Sequence, residues 1–193
     1  MGPRQQFVAL LFLSGLAAAP SLAAEGHREL GAHEHGHGTL NIAIEGPKVT
    51  MELEAPGADI VGFEHAAKSR KEKAVVEEAV TQLKSPLALF TLPASAACRV
   101  TEAKVEVEKA GHDHDAKSAG ADKAPEKDDG HSEFHAEYAI ECASPANLTA
   151  IDFGYFRAFA GAEKLTVNVI TPKGQNKFEV TRASPTLSLA GMI

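Results

Sequence analysis

Sulfur is scarce in this chain, with two cysteines and three methionines among 193 residues. The methionines, Met1, Met51 and Met192, are far apart, which argues against a Cu(I) carrier built on thioether ligands. Basic charge is scarce too: 19 Lys and Arg stand against 26 Asp and Glu, giving a formal charge of −7. That balance disfavours nucleic acid and anionic membrane surfaces as partners and suits cations. Apolar runs are short, and the longest, Phe7 to Ala18, falls below the roughly 20 residues a membrane-spanning helix needs. The sequence also holds no phosphate-binding loop and no nucleophile elbow.

What is there begins with a processing signal. Arg4 supplies a positive start, the apolar run follows, and Pro20 leads into Ser21-Leu22-Ala23, with small residues at the two positions a signal peptidase reads. The pattern predicts a cleaved signal peptide over residues 1–23 and an exported mature chain at 24–193, with no membrane insertion after cleavage. About 170 residues remain, the size of one domain with a real core.

Period-two alternation governs much of the mature chain. Leu40, Ile42 and Ile44 share a face, Gly46-Pro47 turns the chain, and Val49, Met51 and Leu53 share the next. The pattern returns at Ala103, Val105 and Val107, at Phe134, Ala136, Tyr138 and Ile140, and in a C-terminal hairpin with Leu165, Val167 and Val169 before Pro172-Lys173-Gly174 and Phe178 and Val180 after it. Leu148 to Phe153 reads as a short strand, and Phe156 and Phe159 as core anchors in a helical turn. Pairing Ala103 with Tyr138, Val105 with Ala136 and Val107 with Phe134 leaves Cys98 one residue from the position facing Cys142, a gap that one β-bulge closes. In an oxidising compartment an even cysteine count usually means a bridge. A Cys98–Cys142 disulfide at the base of this hairpin is therefore expected, with a pair of thiolate metal ligands as the alternative.

Helical spacing occurs once at length. Val76, Ala79, Val80, Leu83 and Leu87 recur three or four apart, with Lys and Glu on the other side, predicting an amphipathic helix from Ser69 to Leu83 that stops near Pro86. Between the middle strands, residues 109–131 hold almost no large apolar side chain, which predicts a flexible, disordered His/Asp-rich loop at a hairpin tip. The fold class expected is α+β: a single domain of antiparallel hairpins with one long helix packed on the sheet.

The chemistry lies in nine histidines. His33-Glu34-His35-Gly36-His37 precedes the first strand, and in an extended segment three alternate imidazoles project to one side, where they can converge on one ion. His112-Asp113-His114-Asp115 lies in the loop, without a rigid frame and so suited to weak, reversible capture. His131 and His135 share the polar face of their strand with Glu133 and Glu137; a solvated face is the plain explanation, and the N-terminal cluster favours the other reading, that both are metal ligands joining it. His65 reads as a structural residue. Imidazole and carboxylate donors suit Zn(II), with Cu(II) or Ni(II) possible, whereas calcium and magnesium prefer oxygen-only sites. The run His33-Glu34-x-x-His37 also matches a zinc hydrolase motif, but that motif works only on a helix, and here glycines flank the last histidine and a strand follows.

Taken in order, His33-Glu34-His35-Gly36-His37-Gly38, Gly62-Phe63-Glu64-His65, Cys98, a histidine-rich loop, Phe134-His135-Ala136-Glu137-Tyr138 with Cys142, and Thr171-Pro172-Lys173-Gly174-Gln175 resemble the ZrgA-like family of bacterial periplasmic proteins. The resemblance covers nearly the whole mature chain. It implies a periplasmic, non-enzymatic zinc-binding accessory to high-affinity zinc uptake, acting beside a periplasmic solute-binding protein and an ABC importer. It also implies that the N-terminal and loop histidines bind metal. A non-catalytic envelope protein with incidental metal affinity is the competing reading.

Overall fold

The structure, a computed structural model, describes residues 34–110 and 131–193, and the proposed signal peptide lies outside them. Strands β1 (His37–Glu45) and β2 (Lys48–Pro56) form the first hairpin, with Leu40 opposite Leu53, Ile42 opposite Met51 and Ile44 opposite Val49. This register puts every large apolar side chain of the pair on one face, because a slip of one residue would turn them all outward. Strands β4 (Cys98–Ala110) and β5 (His131–Cys142) form the second hairpin. Ala103 faces Tyr138, Val105 faces Ala136 and Val107 faces Phe134, as the alternation predicts. A register shift between Val100 and Glu102 supplies the bulge that sets Cys98 opposite Cys142, and the two are disulfide-bonded.

A third hairpin, β7 (Lys164–Thr171) and β8 (Gly174–Thr181), completes a six-stranded sheet in the order β4-β5-β2-β1-β7-β8. The expected antiparallel pattern holds at every junction except one: β1 and β7 run parallel. Parallel pairing follows from connectivity, since the long excursion between these strands returns the chain to the same end of the sheet. The loop before β7 is fixed by Arg182, whose guanidinium donates to the carbonyls of Phe156, Phe159, Ala160 and Ala162.

A second sheet of three short strands, β3 (Phe90–Thr91), β6 (Ala150–Phe153) and β9 (Thr186–Ser188), takes the order β3-β6-β9. Phe90 joins the sheets: its ring lies 5.6 Å from Phe153 edge-on, 6.0 Å from Tyr155 and 6.3 Å from Tyr138 on β5. These rings and the inward residues of the large sheet form one apolar cluster.

Helix α2 (Arg70–Leu83) forms where the spacing predicts. Ser69 accepts from Glu72 N–H, and the Glu72 carboxylate accepts from the backbone N–H groups of Ser69 and Lys68, closing a capping box. The expectation that one long helix lies along the sheet is corrected. Only Ala79 and Leu83 of α2 are buried, and its main contacts are with β4 of the large sheet and with α1 (Gly57–Val61) and α3 (Pro86–Leu89). Its apolar stripe is too narrow to cover six strands, so the small sheet and the short helices, including α4 (Tyr155–Ala158), take that place. Of the segment expected as a loop, Lys109, Ala110 and His131 are paired strand residues, and residues 111–130 lie outside the described ones.

The bridge closes a sequence separation of 44 residues, so on the chain-entropy argument its reduction should cost about 4 kcal/mol. Urea unfolding with and without reductant, monitored by circular dichroism, is expected to show that loss as a lower midpoint.

Candidate metal centre

Alternation on the central strands sends apolar side chains to the core and donor groups to the opposite, outer face. There the registers of β7, β1, β2, β5 and β4 align Thr166, Thr39, Glu54, His135 and Glu106 in one row, and Asn168, Asn41, Glu52, Glu137 and Lys104 in the next. Asn168 Nδ2 donates to Asn41 Oδ1 at 2.8 Å, tying the uncharged end of its row. At the other end Lys104 and Glu106 form an ion pair at 3.0 Å.

His135 sits where the carboxylates gather, only 6 % exposed. Its Nε2 lies 3.4 Å from Glu52 Oε1 and 3.4 Å from Glu137 Oε1, and its Nδ1 lies 3.9 Å from Glu54 Oε1. The donor atoms of Glu52, His135 and Glu137 all fall within 4.8 Å of one another. These separations are long for hydrogen bonds. The two 3.4 Å separations match the edge of a tetrahedron around zinc, for bonds of about 2.0–2.1 Å place neighbouring ligands about 3.3 Å apart. A groove of about 440 Å³, lined by Glu52 and Glu137 together with Asn41, Asn168, Thr50 and Ile170, borders the two carboxylates of the cluster. One imidazole and two carboxylates fit a divalent transition ion with room for water.

A second group of titratable side chains lies at the sheet end where β1 and β5 begin. Pro56 ends β2, α1 follows, and Gly62 stops it in a left-handed conformation with φ 81°. This short unit sits close against β5: a Cβ on Gly57 would lie 2.1 Å from Ser132 Oγ, so no other residue fits without displacing the strand. The chain leaving α1 thereby brings Glu64 between two histidines, with Oε1 2.8 Å from His35 Nε2 and Oε2 on His131 Nδ1. Burial pushes the Glu64 carboxyl up, but its contacts with His131 and His35 outweigh that and hold it below its ordinary range. Asp59 of α1 is 2 % exposed; its Oδ1 accepts from Gly36 N–H at 2.7 Å, and its Oδ2 has no hydrogen-bond partner among the described residues. Burial raises the Asp59 carboxyl above its ordinary value, opposed by the Gly36 bond and by the His35 charge.

The structure separates the N-terminal histidines. Gly36 turns the chain with φ 80°, so His35 points to Glu64 while His37 enters β1, its Nε2 2.8 Å from Thr166 Oγ1 and its Nδ1 3.2 Å from Glu34 Oε2. The expected projection of alternate imidazoles to one side therefore does not hold for His35 and His37, because the left-handed glycine breaks the extended run. His33, His112, Asp113, His114 and Asp115 lie outside the described residues. His131 and His135 do share the outer face, but it is not simply solvated at their position, since Glu133 and His135 are both buried. His65 stacks on Phe63 with ring centres 4.9 Å apart and meets Ala66 O, a structural setting. Residues 34–37 form a turn leading into strand, so the described part of the hydrolase-like motif lacks the helix that chemistry needs.

Glu52, Asp59 and Glu64 carry the site geometry yet escaped the sequence reading. Glu52 alternates with Met51 and Leu53, so its face was legible, but its partner Glu137 becomes visible only once β2 is known to pair with β5. Nothing local marks Asp59 or Glu64 beyond their place in a turn-flanked segment.

The model of the ZrgA family of zinc uptake proteins matches residues 32–189. The chain belongs to this family. The match spans both groups of side chains, and it gives the protein a role in zinc uptake. Among curated proteins, none matches the chain. No helix among the described residues is long and apolar enough to cross a membrane.

Asp59 gives a stability signature in the metal-free protein. Its folded-state value is raised above the ordinary 3.8, so its contribution is fully favourable below that value and is lost as pH rises through the folded value. With chelator present, the melting temperature of Asp59→Asn is expected to rise relative to the parent's as pH is raised from about 4, as thermal unfolding of both at several pH values would show.

Proposed function

We propose that the mature protein is an exported, periplasmic zinc-binding protein that collects or buffers zinc for uptake, acting beside a zinc ABC importer through its periplasmic solute-binding protein. The observation that carries this reading is the Glu52–His135–Glu137 cluster, whose nitrogen and oxygen donors stand at zinc-ligand spacing on a buried imidazole. Family membership supplies the cargo. Zinc here is cargo rather than a resident cofactor, and the donor set suits that role. Carboxylates and one imidazole bind less tenaciously than an all-thiolate or multi-histidine shell, and Glu137, half exposed, leaves the ion accessible to a recipient. Against a catalytic reading, the described part of the hydrolase-like motif, residues 34–37, is a turn entering a strand, and both cysteines are bridged.

Isothermal calorimetry with the full mature chain tests the assignment. His135→Ala, and separately Glu52→Gln with Glu137→Gln, should weaken one zinc-binding step at least tenfold, about 1.4 kcal/mol. Unchanged isotherms in both variants would remove this cluster from the proposal. Competition with Cu(II) and Ni(II) ranks the metals, and loss of transfer to a purified solute-binding protein tests the role in uptake.

Binding should also weaken steeply from about pH 7 to pH 5, because protons compete for imidazole nitrogen, whose unperturbed pKa is about 6.5. The same titration in buffers across that window checks it, and a flat profile would indicate carboxylate ligands alone.

A further inference from the structure

The two histidine-bearing stretches of the chain are far apart in sequence, one ending at His37 and the other at His135. Both meet the folded part at one carboxylate. His35, beside the turn that starts β1, lies on Glu64 Oε1, and His131, the first residue of β5, lies on Glu64 Oε2. The imidazoles are 69 % and 60 % exposed while the Glu64 side chain is 16 % exposed, so the carboxylate is the fixed member and the rings can turn about it without disturbing the core.

Behind them stands the orphaned acid. Asp59 is almost wholly buried, one oxygen holds the Gly36 N–H next to His35, and the other finds no hydrogen-bond donor among the described residues. A buried polar atom without a partner costs about 1–3 kcal/mol, and a buried charge more. A bound ion or water is one of the standard ways such an atom is satisfied. Asp59 lies within electrostatic reach of His35, Glu64 and Glu163, so negative charge gathers around the imidazoles at a point that a divalent cation would neutralise.

We infer that His35, Glu64 and His131 form a second zinc site, separate from the outer-face cluster, with Asp59 as the charge and oxygen behind it. Zinc replaces the protons now shared between Glu64 and the rings, with the imidazoles turning to bring their nitrogens onto one ion. Two imidazoles and a carboxylate make this the more nitrogen-rich of the two sites, and by ligand type the tighter for zinc. It does not depend on the outer-face assignment. His131 and His135 are four residues apart on the same strand face, about 13 Å at the usual rise, so the two sites are neighbours that cannot share an ion.

The test uses the full mature chain titrated with zinc chloride alone and follows the ring nitrogens of His35, His131 and His135 by nitrogen-15 NMR. Zinc should shift His35 and His131 together, below one equivalent. Glu64→Gln and, as an exposed variant with little bearing on packing, His131→Ala should each weaken that response tenfold or more while His135 still responds; Asp59→Asn should weaken it several-fold. Rings of His35 and His131 that ignore zinc, or a response that survives both Glu64→Gln and His131→Ala, would overturn the inference. A silent His135 beside responsive His35 and His131 would instead sink the outer-face site and leave this one standing.

Discussion

Strand β5 carries the constraint on which the rest depends. Its alternation sends Phe134, Ala136, Tyr138 and Ile140 into the core and His131, Glu133, His135 and Glu137 to the other face. The inward set makes one face of the apolar cluster and meets Phe90 of the small sheet through Tyr138. The outward set supplies a histidine to each proposed zinc site. A one-residue slip would bury the donors and expose the core together, so the hydrophobic effect that fixes the register also positions the chemistry.

The neighbours of β5 hold that register from both sides. On one side the bulge in β4 and the Cys98–Cys142 bridge fix the hairpin base. On the other, β2 brings Glu52 and Glu54 opposite Glu137 and His135. The short helix after β2 then carries Asp59 and Glu64 past the start of β5. One strand-to-helix transition therefore serves both groups: its strand half faces His135, and its helix half and the turn beyond reach His35 and His131.

Local pattern was enough to read the hairpins. The pairing of Ala103 with Tyr138, the bulge and the disulfide follow from alternation plus two cysteine positions, because side-chain period and bridge geometry leave few arrangements. The apolar spacing and Pro86 likewise give α2. Long-range pairing was not legible. Nothing in the sequence places β1 beside β7 or β2 beside β5, and without the second of these Glu52 is one more exposed glutamate among many. The sequence marks the histidines as its chemical signal, with His33, His35 and His37 as one cluster and His131 and His135 as candidates to join it. Gly36, adopting the left-handed backbone open to glycine, sends His35 and His37 to different partners, and tertiary packing regroups His35 with His131 instead.

The parallel pairing of β1 with β7 bears on how the chain folds. The first strand of the described chain lies inside the sheet, and Leu40 meets Val167 only after more than a hundred intervening residues have been made. Contacts of such separation are closed late, since loop entropy must be met before they contribute. The six-stranded sheet is thus incomplete until the C-terminal hairpin is available. A polypeptide built this way cannot close its central sheet during synthesis, and the edge of β1 that faces β7 stays open until the last hairpin arrives.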